Sequence, residues 1–455
     1  MYLQLIELMV LLLYMPITPL AVVLTLYAET IHRRSLAILI GATYSLYLML
    51  LALLTRNHPQ LLMILPGGIT IYIDGISRTY LFLIGSVSLL VYIFLSRIPP
   101  QIFIANSFNY TVLNILIASS SLLVIAWDWM IFVVLWEIAG FAAYYVIRTS
   151  MENTGPDYTY YLTIHVGGLA VIAGAALLIG NGIQGITMPI PPSQYVPAIL
   201  LCIGFASKTG LFPFHYWLQP VYRSSDPVYP SLLSSFIDGL GIYGIYRVAQ
   251  SYIEPGTNPL LANILLVAGS LSIIIAAVWY WGTRDYPGIL AWSTLYNMGW
   301  LLTAVAIGNP LVLALFLLSH GYAKVAAFLT VKLYGPQPSI YRSFSGTAAV
   351  LGATTILAIE GIPPFSLFFA RLMVLADLID AVGMWCIPVV LGWITSSIFF
   401  YKLLSMIMFP RGSTADPVQD RSNDRTAVSA ISVLLGLSIA SYLVLIALGV
   451  IEPWW

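Results

Sequence analysis

Charge is the scarcest feature of this 455-residue chain: Asp, Glu, Lys and Arg make up 8% of it, against about 25% in soluble domains. Its 18 bases are matched by 18 acids, which leaves no basic surface to neutralise phosphates. A soluble enzyme, a disordered chain and a nucleic-acid binder are excluded. Cysteine is nearly absent. Cys202 and Cys386 lie far apart in apolar runs and are expected to be membrane-facing small hydrophobes rather than a disulfide. Zinc, iron–sulfur and CxxCH haem spacings are missing, as are a Walker loop and a GxGxxG in strand context. The chain is therefore expected to carry no metal, redox cofactor or nucleotide of its own. Met1 to Glu7 lacks the basic start of a cleaved signal peptide, so the first apolar run is expected to stay as a helix.

Apolar surface is abundant: 60% of residues are hydrophobic and the mean hydropathy is +0.92. A bilayer-crossing helix needs about 20 mostly apolar residues. Polar and Pro/Gly-rich breaks divide the chain into runs at about 3–26, 35–54, 73–96, 109–126, 129–148, 159–180, 195–218, 230–249, 260–281, 287–307, 311–334, 345–380, 383–409 and 428–450. These predict an all-α, polytopic membrane protein with about fourteen spans. The run 345–380 contains Gly361-Ile-Pro-Pro364 and reads as one broken helix.

The bases orient the runs. Arg33, Arg34, Arg97, Arg148, Arg223, Arg284, Lys332, Arg342, Lys402, Arg411, Arg421 and Arg425 fall on one side, and only Arg56, Arg78 and Arg247 on the other. This bias puts both termini outward from a cell inner or plasma membrane. Pro410 to Thr426 is then an inside loop, and Glu452-Pro-Trp-Trp455 an outer interfacial anchor.

Three bases remain, Lys208, Lys324 and Arg371, each well inside a run, where Glu137, Asp238, His320 and Glu360 also fall. An ionised group at a helix centre costs roughly 2.5–3.5 kcal/mol. One reading is a set of static ion pairs, but these stabilise weakly against apolar packing, and Gly and Ser join membrane helices at lower cost. The other is a series of titratable groups that conducts protons. His320 and Lys324, four residues apart, share one helix face. Asp128 and Arg148 read as interfacial, and His165 as a satisfied interior histidine.

Two breaks adjoin charges: Lys208-Thr-Gly-Leu-Phe-Pro213 and Glu360-Gly-Ile-Pro-Pro364. Gly210-Leu-Phe-Pro-Phe214 and Gly361-Ile-Pro-Pro-Phe365 match at four of five positions if Leu and Ile are equated. Lying in runs seven and twelve, they cross in opposite senses, the pattern of an inverted repeat built on broken helices. The expected organisation is N-terminal helices over 1–108, five-helix repeats over 109–249 and 260–409, and a last helix within 428–455.

Several stretches resemble the antiporter-like, proton-translocating membrane subunits of respiratory complex I, a family shared with cation/proton antiporters and membrane-bound hydrogenases. They are Ile73-Asp-Gly-Ile-Ser77, Leu135-Trp-Glu137 with Tyr144-Tyr145, and Phe205-Ala-Ser-Lys208 with Pro213-Phe-His-Tyr-Trp217. Leu290-Ala-Trp-Ser-Thr294 with Met298-Gly299, His320-Gly-Tyr-Ala-Lys324 and the second break through Arg371 complete the likeness. Within the family the chain is most similar to the chain N type, lacking a long lateral helix after its fourteenth run.

The resemblance implies that Glu137 biases the proton affinity of Lys208, and that His320 and Lys324 carry the proton onward. Two positions depart from the family. Asp238 stands where a lysine is usual, and is expected to pair with Lys208 or Lys324. Arg371 stands where Lys or Glu is usual. Since guanidinium stays protonated, it is expected to be a fixed cation for Glu360 or Asp377. The function implied is a proton-translocating, non-redox subunit of a complex I-like oxidoreductase. Iron–sulfur clusters and quinone would belong to partner subunits. The alternatives are a subunit of a sodium/proton antiporter and an inert membrane scaffold.

Overall fold

A computed structural model describes residues 2–55, 60–63, 70–99, 109–151, 155–252, 259–337, 346–408 and 425–451. Long runs of Leu, Ile, Val and Ala fold as helices because lipid offers backbone groups no partner outside the segment. The order begins with α1 (Tyr2–Thr30) and α2 (Arg34–Leu54). A two-stranded antiparallel ribbon, β1 (Gln60–Met63) with β2 (Thr70–Ile73), leads into α3 (Gly75–Leu95). Then come α4 (Tyr110–Leu123), α5 (Trp129–Thr149), α6 (Pro156–Gly180), α7 (Tyr195–Thr209), α8 (Leu218–Ser224), α9 (Val228–Leu232) and α10 (Asp238–Tyr252). The rest comprises α11 (Pro259–Trp279), α12 (Tyr286–Ile307), α13 (Pro310–Tyr334), α14 (Gly346–Glu360), α15 (Ser366–Val382), α16 (Ile387–Met408), α17 (Arg425–Ile439) and α18 (Ser441–Ala447).

Among the described residues ten segments are long and apolar enough to cross a membrane, or eleven if α17 and α18, bent by 74°, count as one. Each of the fourteen apolar runs contains helix. The difference arises because α4 and α14 have only 14 and 15 residues, and a π-helical turn, Leu233–Ile237, separates α9 from α10. Residues 409–424 of the expected inside loop, the expected anchor Glu452 to Trp455, and Arg56, Arg342, Arg411 and Arg421 lie outside the described residues.

Helices α12 and α13 form the centre and are almost wholly buried, whereas α1 and α16 are mostly outward-facing. Small residues let the backbones close. A Cβ on Gly204 of α7 would stand 2.4 Å from Gly167 O of α6, and Gly269 and Gly299 stand in the same relation between α11 and α12. Both cysteines are free and buried, so neither faces the membrane as their apolar neighbours suggested. The outward positions beside them are taken by larger residues such as Ile203 and Ile387.

The two breaks close alike. Gly210 and Gly361 have φ of 70° and 65°, the left-handed conformation of a helix C-terminal cap. Leu211 N bonds back to Ala206 O and Ile362 N to Leu357 O, five residues earlier in each case. Phe214 N and Phe365 N then reach Leu211 O and Ile362 O. Thus α7 ends just beyond Lys208, and α14 ends on Glu360.

Candidate functional site

Glu137 on α5 and Lys208 on α7 line one cavity with Trp136, Gly140, Phe141, Tyr161, Ile164 and His165. Two glycines make room for the charged ends. A Cβ on Gly168 of α6 would lie 2.2 Å from Glu137 Oε1, and one on Gly140 would lie 3.2 Å from Lys208 Nζ. The buried ammonium donates to Trp136 O at 2.9 Å and sits 3.6 Å from the Trp136 ring centroid, which offers a desolvated cation an electron-rich face. Half-buried Glu137 has an oxygen, Oε1, without a hydrogen-bond partner among the described residues, and no ion pair within 4.0 Å joins it to Lys208. The charges face each other without being locked together.

The π-helical turn delivers Asp238 into the bundle centre. Tyr222 OH donates to its Oδ2 at 2.8 Å, while Oδ1 has no hydrogen-bond partner among the described residues. Asp238 is within electrostatic reach of Lys324 and Lys208. The expected ion pair with one of these lysines does not form. Tyr222 supplies the hydrogen bond instead, and Lys324 is held by Leu290 O and, at 2.6 Å, by Ser293 Oγ. His320, one turn before Lys324 on α13, is buried beside the Ser234 backbone, and neither ring nitrogen makes a hydrogen bond of normal geometry among the described residues.

At the second break Arg371 Nη1 donates to Glu360 O and approaches Glu360 Oε1 at 3.7 Å. Its Nη2 donates to Asn297 Oδ1 at 2.8 Å. Ser396 and Ser397 each donate to the Glu360 carboxylate at 2.8 Å. The guanidinium is therefore fixed on Glu360, as expected. Asp377, the other acid considered, accepts from Asn309 Nδ2 at 2.7 Å. Asn297 Nδ2 also donates to Ser293 O at 2.8 Å, so Ser293 and Asn297 connect the Lys324 site to the Arg371 site along α12. Asn297 and Tyr222 did not stand out in the sequence, and Ser293 entered only as part of Leu290-Ala-Trp-Ser-Thr294. The available signal was two polar residues four apart in an apolar helix.

Arg78, Arg247 and Lys332, each near an end of its helix, are buried among neighbouring helices. Arg247 forms a bidentate pair with Asp74, at 2.6 and 2.8 Å, and Lys332 pairs with Asp226. Arg78 donates to Thr55 O at 3.0 Å. A base with a partner need not reach water. Burial alone would raise the Asp74 carboxyl, but the Arg247 guanidinium and the Ser77 N–H hold it down at about 2. Arg148, at the end of α5, pairs with Asp157 at 3.2 Å. His165 is only half-buried and lines the Glu137 cavity, so it is not a simple interior histidine.

The family model described as NADH:quinone oxidoreductase/Mrp antiporter, transmembrane, matches residues 126–399. The chain is 24% identical over 446 residues to one subunit of the Na⁺/H⁺ antiporter of Alkalihalophilus pseudofirmus, covering 84% of this chain and 54% of that one. Its fold is similar to a chain of the membrane-bound sulfane sulfur reductase, an archaeal respiratory membrane complex. The TM-score is 0.82 at 16% identity, over 96% of this chain and 95% of that one. It is also similar to a chain of respiratory complex I from Thermus thermophilus, with a TM-score of 0.77 at 21% identity, over 95% and 97% of the two chains. The chain spans about half the length of the first curated relatives it matches, 43% and 54% for two of them. With the matched segment running from before Glu137 to beyond Arg371, the chain belongs to the NADH:quinone oxidoreductase/Mrp antiporter membrane family.

Proposed function

We propose that the chain is a proton-translocating membrane subunit of a complex I-like oxidoreductase of the NADH or ferredoxin:quinone type. The observation that carries this is the series of half-buried Glu137 and buried Lys208, Asp238, Lys324 and Glu360, set across the bundle with a broken helix at Lys208 and another at Glu360. Electron transfer, iron–sulfur clusters and quinone belong to partner subunits in this proposal, and the chain itself performs no redox chemistry. It sits in a cell inner or plasma membrane with fourteen spans, both termini outward and two inverted repeats. The like closure of the two breaks supports the repeats.

An ionised lysine in a low-dielectric site keeps its proton only while a carboxylate stays near. Glu137 supplies that charge across the cavity. Movement of α5 relative to α7, driven by neighbouring membrane subunits, changes the separation and makes Lys208 release or recapture a proton. Asp238, coupled to both lysines, receives the charge change and passes it to Lys324. His320 lies one turn from Lys324 as a second acceptor. Arg371 cannot relay a proton, so it acts as the fixed cation that keeps Glu360 at the second break poised for exchange.

A second reading, membership of a multi-subunit sodium/proton antiporter, is favoured by the long match to the Na⁺/H⁺ antiporter of Alkalihalophilus pseudofirmus. Purification from native membranes separates the two. Iron–sulfur subunits co-purifying with the chain are the expected result, and antiporter partners alone would establish the second reading. An inert scaffold is disfavoured because the carboxylates of Glu137 and Asp238 are left without ion-pair partners at hydrogen-bonding distance among the described residues.

A further inference from the structure

One carbonyl in α12 is claimed by more side-chain donors than it can serve. Leu290 O accepts from Lys324 Nζ, from Ser293 Oγ at 2.9 Å and from Thr294 Oγ1 at 3.1 Å. A carbonyl oxygen has two lone pairs, so these three donors compete for it. Lys324 and Ser293 also have each other, at 2.6 Å. Thr294 has a different second partner, Tyr222 OH, at 3.5 Å. That hydroxyl is the donor to Asp238 Oδ2 at 2.8 Å, and among the described residues the Asp238 carboxylate has no other hydrogen-bond donor. The Tyr222 ring packs edge-on against Phe328 of α13, at 5.2 Å, and against Trp217, at 6.4 Å. Phe328 lies one turn beyond Lys324, whose Nζ is 5.7 Å from its ring centroid. Trp217 Nε1 donates to Ser207 O, next to Lys208. With Tyr222 and Thr294 both buried and the ring held on two sides, what remains free to change is the direction of the hydroxyl hydrogens.

We propose that Tyr222 is a positioning residue that reports the charge on Lys324 to Asp238 through Thr294. The inference deepens the proton-path reading above and rests on it. As an ammonium, Lys324 claims Leu290 O more strongly than a neutral hydroxyl does. Thr294 then turns its hydrogen to Tyr222 OH. A hydroxyl that accepts a hydrogen bond donates a stronger one, so Tyr222 holds the Asp238 carboxylate more firmly in its charged form. Once Lys324 has given up its proton, Leu290 O is released and Thr294 turns back to it. Tyr222 then donates more weakly, and Asp238 is ready to take a proton. Direct attraction between Lys324 and Asp238 has the same sign. The hydroxyl pair adds to it without moving a helix.

The test is proton pumping per electron pair by the whole assembly in native inside-out vesicles, with assembly checked on a native gel. Tyr222→Phe keeps the ring contacts and removes one hydroxyl, and Thr294→Val keeps the side-chain shape and removes the other. Pumping should fall roughly tenfold in Tyr222→Phe, the scale of a hydrogen bond to a charged group, and about threefold in Thr294→Val. Because Thr294 acts through Tyr222, the double variant should pump no worse than Tyr222→Phe alone. Thr294→Ser, which puts a hydroxyl back, should recover most of what Thr294→Val loses. The infrared carbonyl band of Asp238, identified by its loss in Asp238→Asn, should move to higher frequency in Tyr222→Phe as its donor goes. Wild-type pumping in Tyr222→Phe, an unmoved band, or losses that simply add in the double variant would overturn the proposal. Equal pumping by Thr294→Val and Thr294→Ser would overturn it independently of Tyr222→Phe. Glu137→Gln in the same vesicles separates the two levels. Normal pumping there defeats the proton-path reading and this inference with it, whereas lost pumping there with additive losses at Tyr222 and Thr294 defeats only the link between them.

Discussion

At the scale of single residues, the site depends as much on what is missing as on what is charged. Gly168 has no Cβ, and that space holds the Glu137 carboxylate. In Gly168→Ala the nearest atoms are the end of a flexible side chain, so the helix packing should survive while Glu137 swings away from Lys208. Pumping is expected to fall on the order of tenfold, with the assembled complex unchanged in amount on a native gel. The candidate charges were legible because lipid makes each of them costly enough to need a reason. Their partners were not. Arg247 meets Asp74 across 173 positions, and Arg371 meets Asn297 across 74. The burial of Arg78, Arg247 and Lys332 was therefore not legible, since nothing local announces a distant carboxylate or carbonyl.

Among the elements, close backbone approach governs. The α6–α7 contact at Gly167 and Gly204 brings Lys208 alongside Gly140 and the Glu137 cavity. Gly204→Val should force the helices apart at a cost of about 1–3 kcal/mol, read as a lower melting temperature of the detergent-solubilised protein. Asp74 offers a pH test. It caps α3 and binds Arg247 from α10, and its folded value of about 2 lies below the usual carboxylate value. The pair's contribution is complete above about pH 5 and is lost as pH falls toward 2. Thermal stability should therefore decline through that window, and Asp74→Asn should be less stable at neutral pH with a flatter acid limb. The helices themselves were legible from apolar runs, and both breaks from Pro and Gly. The π-helical turn before Asp238 was not, because Leu-Ser-Ser-Phe-Ile carries no Pro or Gly.

On the scale of the whole molecule, the polar series lies along the most deeply buried helices. Lys208 and Asp238 flank the first break, Lys324 and His320 sit on α13, and Ser293 and Asn297 of α12 lead on to Arg371 and Glu360. In the proposed function, a charge change at one end acts as a field at the next site, and no step uses a cofactor within the chain. The same proposal places the driver in neighbouring membrane subunits, with the half-buried Glu137 facing a cavity beside α5 and α6. The most direct test of the proton-path account is pumping by the assembly carrying Glu137→Gln, which keeps the side-chain shape and removes its charge. Measured as protons moved per electron pair in native vesicles, pumping is predicted to fall about tenfold or more with assembly intact. Undiminished pumping at normal assembly would contradict the account.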